Sequence, residues 1–357
     1  MTMQKKYFII FLSIIFLSCR KDIIIENTPK NVFLTFWKIM DENYVYFEEK
    51  NLNWDSVYSA YYPQAQAAKT DRDLFNIFSE IIPLFKDGHV NIKGTLNNST
   101  FSISAPYSND TLWSFGVYRP ETEYITIEDL GFEYKVGSID FSYKNFYGYQ
   151  HKTKNYALIL TYSMGDIGWV NTTSEELTES LKCLNYKDGL IFSIIDNGGG
   201  WSDEMYNIAA MFFSEKRVVD YSIFKAGKGH NDFGEKVFTE VQGKGIIPCS
   251  IPVILLTGPA TYSAGNTFAY IINDLPNCIS VGKRTGGGGG GRLSVMLPNG
   301  WTLYYPYRKL FSINSKNMEY GLMPDIYVKV EIDKKDDTSV GDVMLKAIEV
   351  LDSIKCF

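Results

Sequence analysis

The segment that decides the fold is Thr257-Gly-Pro-Ala-Thr-Tyr-Ser-Ala-Gly-Asn266, which follows directly on an apolar run at residues 251–256. An uninterrupted apolar run of this length is typical of a buried strand. A second apolar run, residues 268–272, predicts a helix beyond the turn. The pattern therefore places Ser263 in a tight turn between a strand and a helix start, next to backbone N–H groups that favour negative charge.

A similar arrangement occurs upstream, where a predicted strand at residues 190–195 runs into Asp196-Asn-Gly-Gly-Gly200. Three consecutive glycines present bare backbone N–H groups, which are the usual material of an oxyanion hole. A serine and an oxyanion loop, each at the end of a buried strand, indicate acyl-transfer chemistry. The alternatives are a helix-capping role for Ser263 and a tight turn, with or without a bound anion, for the glycines.

Strands and helices alternate along the second half of the chain, which predicts an α/β core with crossover connections. The predicted strands cover residues 156–163, 190–195, 251–256 and 279–282, and the predicted helices cover residues 175–184, 203–213 and 266–274. Upstream, helical spacing of apolar residues extends over residues 31–85, while residues 90–150 show alternation typical of strands. An amphipathic helix is predicted at residues 340–353.

We therefore predict an α/β fold, α+β overall, with a helical N-terminal region, a β-rich middle and an α/β catalytic core. The predicted parts are a signal peptide at 1–18, a tether at 19–30, a helical region at 31–89, a β-rich middle module at 90–150, the core at 151–335 and a C-terminal helix at 336–357.

Bulk composition excludes some classes of protein. The 357 residues carry a net charge of −6 and a pI of about 5.3, so electrostatics give no reason to expect a nucleic-acid partner. Beyond residue 19, the four cysteines Cys183, Cys249, Cys278 and Cys356 show no metal-binding spacing. We expect neither a metal nor an organic cofactor.

The N-terminus has the pattern of an export signal. Lys5 and Lys6 precede an apolar run at residues 7–17 that is too short for a mature membrane span, and Ser18-Cys19 follow. A cysteine at this junction resembles the lipobox of bacterial lipoproteins, which implies lipidation of Cys19, a lipid anchor and a location in the cell envelope. An ordinary signal peptide with an incidental cysteine, or an uncleaved anchor, is the alternative.

A serine nucleophile needs a base, and the chain has only three histidines. His89 follows Asp87-Gly88 in a turn after a predicted helix and is the best general base of the three. His230 lies in a polar loop, where it either lines a substrate channel or is simply exposed. His151 lies in a lysine-rich connection and is expected to be solvated.

Five segments, in the same order, resemble those of the tail-specific (C-terminal-processing) serine peptidases and the related tricorn-core peptidases. They are Asp87-Gly-His89, Asn197-Gly-Gly-Gly200, Thr261-Tyr-Ser-Ala-Gly265, Val281-Gly-Lys-Arg-Thr-Gly-Gly287 and Glu319-Tyr-Gly-Leu-Met-Pro-Asp-Ile326. Each segment alone is weak evidence, but five in the same order are strong evidence. The resemblance covers residues 31–350 and implies a ClpP/crotonase-like catalytic core.

The resemblance also implies roles for particular residues. Ser263 would be the nucleophile, and the N–H groups of Ala264 and of Gly198 or Gly199 would form the oxyanion hole. The tail-specific branch draws its base from a lysine in the stretch matching residues 286–291, which here holds only glycine. The tricorn-like branch uses a histidine at the position of His89, with a helper glutamate that matches Glu319.

The six glycines at 286–291 are expected to form a mobile or substrate-hugging loop, so Gly286 and Gly287, together with His230, are predicted to bind substrate. Residues 90–150 show no clear PDZ pattern. The resulting interpretation is a cell-envelope serine endopeptidase acting on peptides or proteins. The alternative is a weakly active or inactive lipoprotein that binds an apolar ligand or a peptide on the same scaffold. An oligomer is compatible with either.

Overall fold

The computed structural model of the chain describes residues 26–107, 127–137, 146–165, 173–329 and 339–354. The predicted signal peptide and Cys19 lie outside these residues, as do parts of the predicted tether, middle module and C-terminal helix. Of the helices in the described ranges, none combines the length and apolar character that crossing a membrane requires.

A mostly parallel sheet of seven strands lies at the centre of the described structure. From one edge to the other, its strands are β14 (Ile326–Tyr327), β10 (Cys278–Gly282), β9 (Val253–Thr257), β6 (Gly189–Ser193), β5 (Tyr156–Thr161), β4 (Phe146–His151) and β3 (Phe132–Gly137). Pairing is parallel from β14 to β5 and antiparallel from β5 to β3.

Helices cover both faces of this sheet. They are α4 (Ser174–Leu181), α5 (Ser202–Ala209) and α6 (Ala264–Asn273) on one face and α7 (Ser339–Ile354) on the other. Along β6, Leu190 and Phe192 belong to the same buried cluster as Phe268 of α6, whereas Ile191 belongs to the same cluster as Leu351 of α7. Burial on both faces explains the continuous apolar runs in the sequence and confirms the predicted α/β fold.

The N-terminal residues build a second core. Helices α1 (Pro29–Asn43), α2 (Trp54–Ala67) and α3 (Asp71–Ile81) pack on an antiparallel sheet of β11 (Leu293–Met296), β12 (Thr302–Tyr305), β1 (Asn91–Leu96) and β2 (Ser99–Ser104). A capping box between Thr70 and Asp73 starts α3. Aromatic rings fill this core, with the rings of Phe36 and Phe78 4.7 Å apart.

The predicted middle module, residues 90–150, is divided between two sheets in the structure. Strands β1 and β2 join β12 in the N-terminal sheet, while β3 and β4 extend the central sheet. Residues 90–150 therefore do not form one sheet, while the domain limits at 90 and 150 stay a prediction. Alternation along a strand indicates which face is buried, but it does not indicate which strand is the partner.

A third sheet, of β13 (Arg308–Ser312), β7 (Arg217–Phe224) and β8 (Val237–Val241), completes the described strands. The site is positioned by the central sheet. Because β6, β9 and β10 are parallel, the loops that follow them leave from the same edge, where ligands bind in folds of this kind.

Candidate active site

The turn that carries Ser263 connects β9 to α6. Ser263 has φ 54° and ψ −121°, a positive-φ conformation outside the allowed regions for residues with a Cβ atom, and its side chain caps no backbone group. The surrounding chain fixes this conformation: the Ser263 N–H donates to the Gly287 carbonyl at 2.9 Å, and the Thr267 N–H donates to the Ser263 carbonyl at 3.0 Å. A strained serine between a strand and a helix is the geometry of a nucleophile elbow.

The structure brings His89 to this serine. The two residues are 174 positions apart in the chain, and His89 Nε2 lies 2.9 Å from Ser263 Oγ. His89 is buried, with 7% of its surface exposed. Burial lowers the pKa of His89 from 6.5 to about 4; the charge of Asp87 acts in the opposite direction, and those of Arg292 and Lys50 add to the lowering. The imidazole is therefore neutral near pH 7, as a general base must be.

The glycine loop after β6 lies directly against the nucleophile. A Cβ atom added to Gly199 would lie 2.8 Å from Ser263 Cβ, so only glycine fits there. The Gly199 N–H already donates to Asn197 Oδ1 at 3.0 Å. The N–H groups of Gly198 and Ala264 donate no hydrogen bond within the described part of the chain, so these two, rather than Gly199, are available to donate to an oxyanion.

Glu319 does not contact His89. Its Oε1 lies 2.5 Å from Lys50 Nζ, and its Oε2 accepts from the Gly289 N–H at 3.0 Å. Burial, reinforced by the charge of Asp87, raises the pKa of Glu319, while Lys50 and the Gly289 N–H act against this rise. His89 Nδ1 is buried without a hydrogen-bond partner among the described residues. Glu319 was predicted to assist His89, but in this structure it makes no direct hydrogen bond to the imidazole.

The glycine stretch 286–291 runs beside the nucleophile turn instead of forming an open loop. The Gly286 N–H donates to the Thr261 carbonyl at 2.8 Å, and Gly287 accepts from the Ser263 N–H as described above. Residues 287–290 are buried. Gly286 and Gly287 thus bond to the nucleophile turn, and their predicted role in substrate binding stays a prediction.

Close packing explains why the stretch is glycine. A Cβ atom at Gly287 would lie 2.2 Å from the Glu319 carbonyl oxygen, and one at Gly288 would lie 2.4 Å from the Tyr262 ring. A Cβ atom at Gly290 would lie 2.4 Å from Pro306. Real Cβ atoms do not approach other atoms so closely, so a side chain at any of these positions requires the chain to move.

His230 was predicted to line a substrate channel or to be exposed. In the structure it is half-buried and contacts the N-terminal core region. Its Nε2 lies 2.8 Å from Asp41 Oδ1, and its ring stacks on Phe47 at 4.3 Å. Both partners belong to the N-terminal core region, so His230 ties the loop between β7 and β8 to that region. None of its described contacts reaches Ser263 or His89.

Sequence reasoning missed several polar residues that surround the pair. Lys50 comes from the loop after α1 and also donates to the Lys86 carbonyl at 3.0 Å. Tyr44 and Tyr262 both donate to Asp87, which itself lies in the quoted Asp-Gly-His turn. The Asp-Gly-His motif could have indicated a role for Asp87. Lys50 and Tyr44 lie in an aromatic segment whose pattern predicts core packing.

Comparisons with known proteins match two parts of the chain to peptidase domains. Residues 155–328 match Peptidase family S41, and residues 25–82 match the tricorn protease C1 domain. No curated protein matches the chain. The crystal structure of a candidate peptidase from Parabacteroides merdae ATCC 43184 is similar, with a TM-score of 0.75 and 27% identity over 91% of this chain and 97% of that one.

More distant structures share the fold. Mature CPAF complexed with lactacystin has a TM-score of 0.61 and 10% identity, and the match covers 92% of this chain and 97% of that one. The tricorn protease has a TM-score of 0.52 and 15% identity, over 91% of this chain but 37% of the larger enzyme.

The fold and the site together define a serine hydrolase, with a nucleophile elbow at the end of a parallel sheet. With the two domain matches, the class becomes definite: the chain is a serine peptidase with a Peptidase S41 domain match at residues 155–328 and a tricorn protease C1 domain match at residues 25–82.

Proposed function

We propose that the protein is a lipid-anchored endopeptidase of the cell envelope in which His89 is the general base for Ser263. The observation that carries the proposal is the 2.9 Å contact between His89 Nε2 and Ser263 Oγ at a strained turn. A serine used only as a helix cap would bond to a backbone N–H, and this one does not.

The reaction follows from the positions of these groups. His89 Nε2 takes the proton of Ser263 Oγ as the oxygen attacks the peptide carbonyl, and the oxyanion is stabilised by the N–H groups of Gly198 and Ala264. His89 then gives the proton to the leaving amine, and the acyl group remains on Ser263. A water molecule, deprotonated by His89, hydrolyses this ester and restores the serine.

The pH dependence of acylation tests the role of His89. The full-length protein in detergent would be treated with a fluorophosphonate, with labelling at Ser263 identified by peptide mass spectrometry. The rate is expected to stay on its plateau well below pH 6.5 and to fall with a midpoint near pH 4, because burial lowers the pKa of His89 to about 4. A midpoint near 6.5, the ordinary value, would contradict this role.

Two variants make the test specific. His89→Ala should abolish labelling, while His151→Ala, which removes a histidine that contacts Phe132 and Tyr156, should label like the wild type.

Folding must be monitored in parallel because the lowered pKa of His89 also makes the stability of the fold depend on pH. Between about pH 6.5 and 4 the unfolded chain takes up a proton that folded His89 does not, so the free energy of unfolding falls as the pH falls.

The lipid anchor rests on the sequence Leu17-Ser18-Cys19 after a short apolar run. Cells given an alkyne-bearing fatty acid should incorporate it into the wild-type protein and not into Cys19→Ser, because the thioether that attaches the lipid needs the thiol. Cys183→Ser, which removes an exposed cysteine of the folded domain, is the matched control. Equal incorporation into wild type and Cys19→Ser would refute the anchor.

A further inference from the structure

Asp87 joins the loop of the base to the turn of the nucleophile. Its side chain is fully buried. Oδ1 accepts hydrogen bonds from the His89 N–H at 3.0 Å and from the Tyr262 hydroxyl at 3.3 Å, and Oδ2 accepts from the Tyr44 hydroxyl at 3.1 Å. One carboxylate therefore has three donors from three separate segments of the chain.

Two of these donors are next to the reacting groups. Tyr262 immediately precedes Ser263, and its ring centroid lies 5.0 Å from that of His89. The Tyr262 N–H also donates to the Asn197 carbonyl at 3.0 Å, which links the same turn to the oxyanion loop. Any displacement of Asp87 would therefore move the base and the nucleophile relative to each other.

The third donor anchors the carboxylate in the N-terminal core. Tyr44 lies at the C-terminal cap of α1, and its ring packs 4.9 Å from both Phe47 and Phe85. Burial, with the charge of Asp87 as the next cause, raises the pKa of Tyr44 well above its ordinary value of 10.0, and the same holds for Tyr262. Both hydroxyls thus stay protonated and remain donors.

We propose that Asp87 is a positioning residue that aligns His89 Nε2 with Ser263 Oγ by bonding simultaneously to the backbone of the base and to the residue before the nucleophile. This inference rests on the proposed role of His89 and deepens it. Hydrogen bonds to a charged acceptor are stronger than neutral ones, so a carboxylate suits this task better than an amide.

Asp87→Asn tests the proposal. Asparagine keeps the size of the side chain, but one oxygen becomes an NH₂ group that cannot accept a hydrogen bond, and the charge is lost. We expect kcat for peptide hydrolysis to fall roughly 10- to 100-fold with KM little changed, because a displacement of about 1 Å between reacting groups has an effect of this size.

The pH profile separates positioning from a merely structural role. Four charged groups bear on this site: Asp87 raises the pKa of His89, Arg292 and Lys50 lower it, and Glu319 interacts with Asp87. Among the described residues, Asp87 is the charged group that raises the pKa of His89, so loss of its charge should move the acid limb of fluorophosphonate labelling to lower pH. General loosening would instead hydrate His89 and move the acid limb to higher pH, toward the ordinary pKa of 6.5.

Asp325→Asn is the matched control. The Asp325 carboxylate accepts from the Ser280 N–H and hydroxyl, both at 2.9 Å and both at Oδ2, so the variant loses a hydrogen-bonded charge away from the pair. It should keep wild-type kcat and pH profile. If Asp87→Asn does not fold, Tyr262→Phe removes a single donor and should still lower kcat several-fold.

The outcomes distinguish this inference from the function on which it rests. Absence of labelling at Ser263 in the wild type would refute the proposed function itself. Normal labelling in the wild type, together with wild-type kcat and acid limb in folded Asp87→Asn, would overturn the positioning role alone. Wild-type kcat in Tyr262→Phe would overturn it as well.

Discussion

Ser263→Ala is expected to lower kcat for peptide hydrolysis by about 10⁶-fold, the size of effect seen when a serine nucleophile is removed from a complete catalytic unit. The variant loses the only hydroxyl within 2.9 Å of His89 Nε2 in the described structure. The oxyanion N–H groups of Gly198 and Ala264 remain, so a small residual rate above that in water is expected. The measurement is a steady-state assay with a peptide that the wild type cleaves.

The matched control is Ser59→Ala, which removes an exposed serine hydroxyl on α2 that bonds only to the Asp55 carbonyl. It should leave kcat unchanged. Thermal unfolding of both variants should resemble that of the wild type, because neither hydroxyl satisfies a buried backbone group. Substantial hydrolysis by pure Ser263→Ala would show that the nucleophile lies elsewhere.

Gly287→Ala is expected to destabilise the fold by about 2–5 kcal/mol, the sum of left-handed backbone strain and overpacking. Gly287 has φ +84°, and an added Cβ atom would lie 2.2 Å from the Glu319 carbonyl oxygen. Since Gly287 also accepts the Ser263 N–H, activity should fall together with stability. Chemical denaturation of the variant and the wild type measures the difference in the free energy of unfolding.

Gly300→Ala separates the two contributions. Gly300 has φ +83°, almost the same value, but no atom lies within 4 Å of its added Cβ. Gly300→Ala should therefore lower the free energy of unfolding by the backbone strain alone, about 1–2 kcal/mol. Equal losses at Gly287 and Gly300 would mean that the close packing described for the glycine stretch does not constrain it.

The sequence predicted those parts of the structure that depend on local pattern. Continuous apolar runs located the buried strands β6 and β9 because each is covered on both faces. The juxtaposition of Ser263 and His89 was inferred from a resemblance and an elimination among three histidines, and the structure places these side chains in contact. Their separation of 174 residues in the sequence gives no indication that His89 Nε2 and Ser263 Oγ lie 2.9 Å apart.

Features that depend on long-range packing were not predictable in the same way. Six consecutive glycines predict a flexible segment at 286–291. In the fold, however, the stretch packs against Tyr262, Glu319 and Pro306. Glu319 matched a helper position, but its partner is Lys50, a residue in no motif. A motif specifies the type of residue at a position, whereas the orientation of its side chain depends on what packs beside it.

The pairing of β1 with β12 has a consequence for when this protein acquires its reactive site during synthesis. His89 lies just before β1, and that strand pairs with residues 302–304, which the ribosome makes long after Ser263. A nascent chain can therefore contain its serine well before the sheet next to its histidine is complete. Because such distant pairing is slow to form, we expect the sheet beside His89 to be completed late in folding and peptidase activity to appear only then.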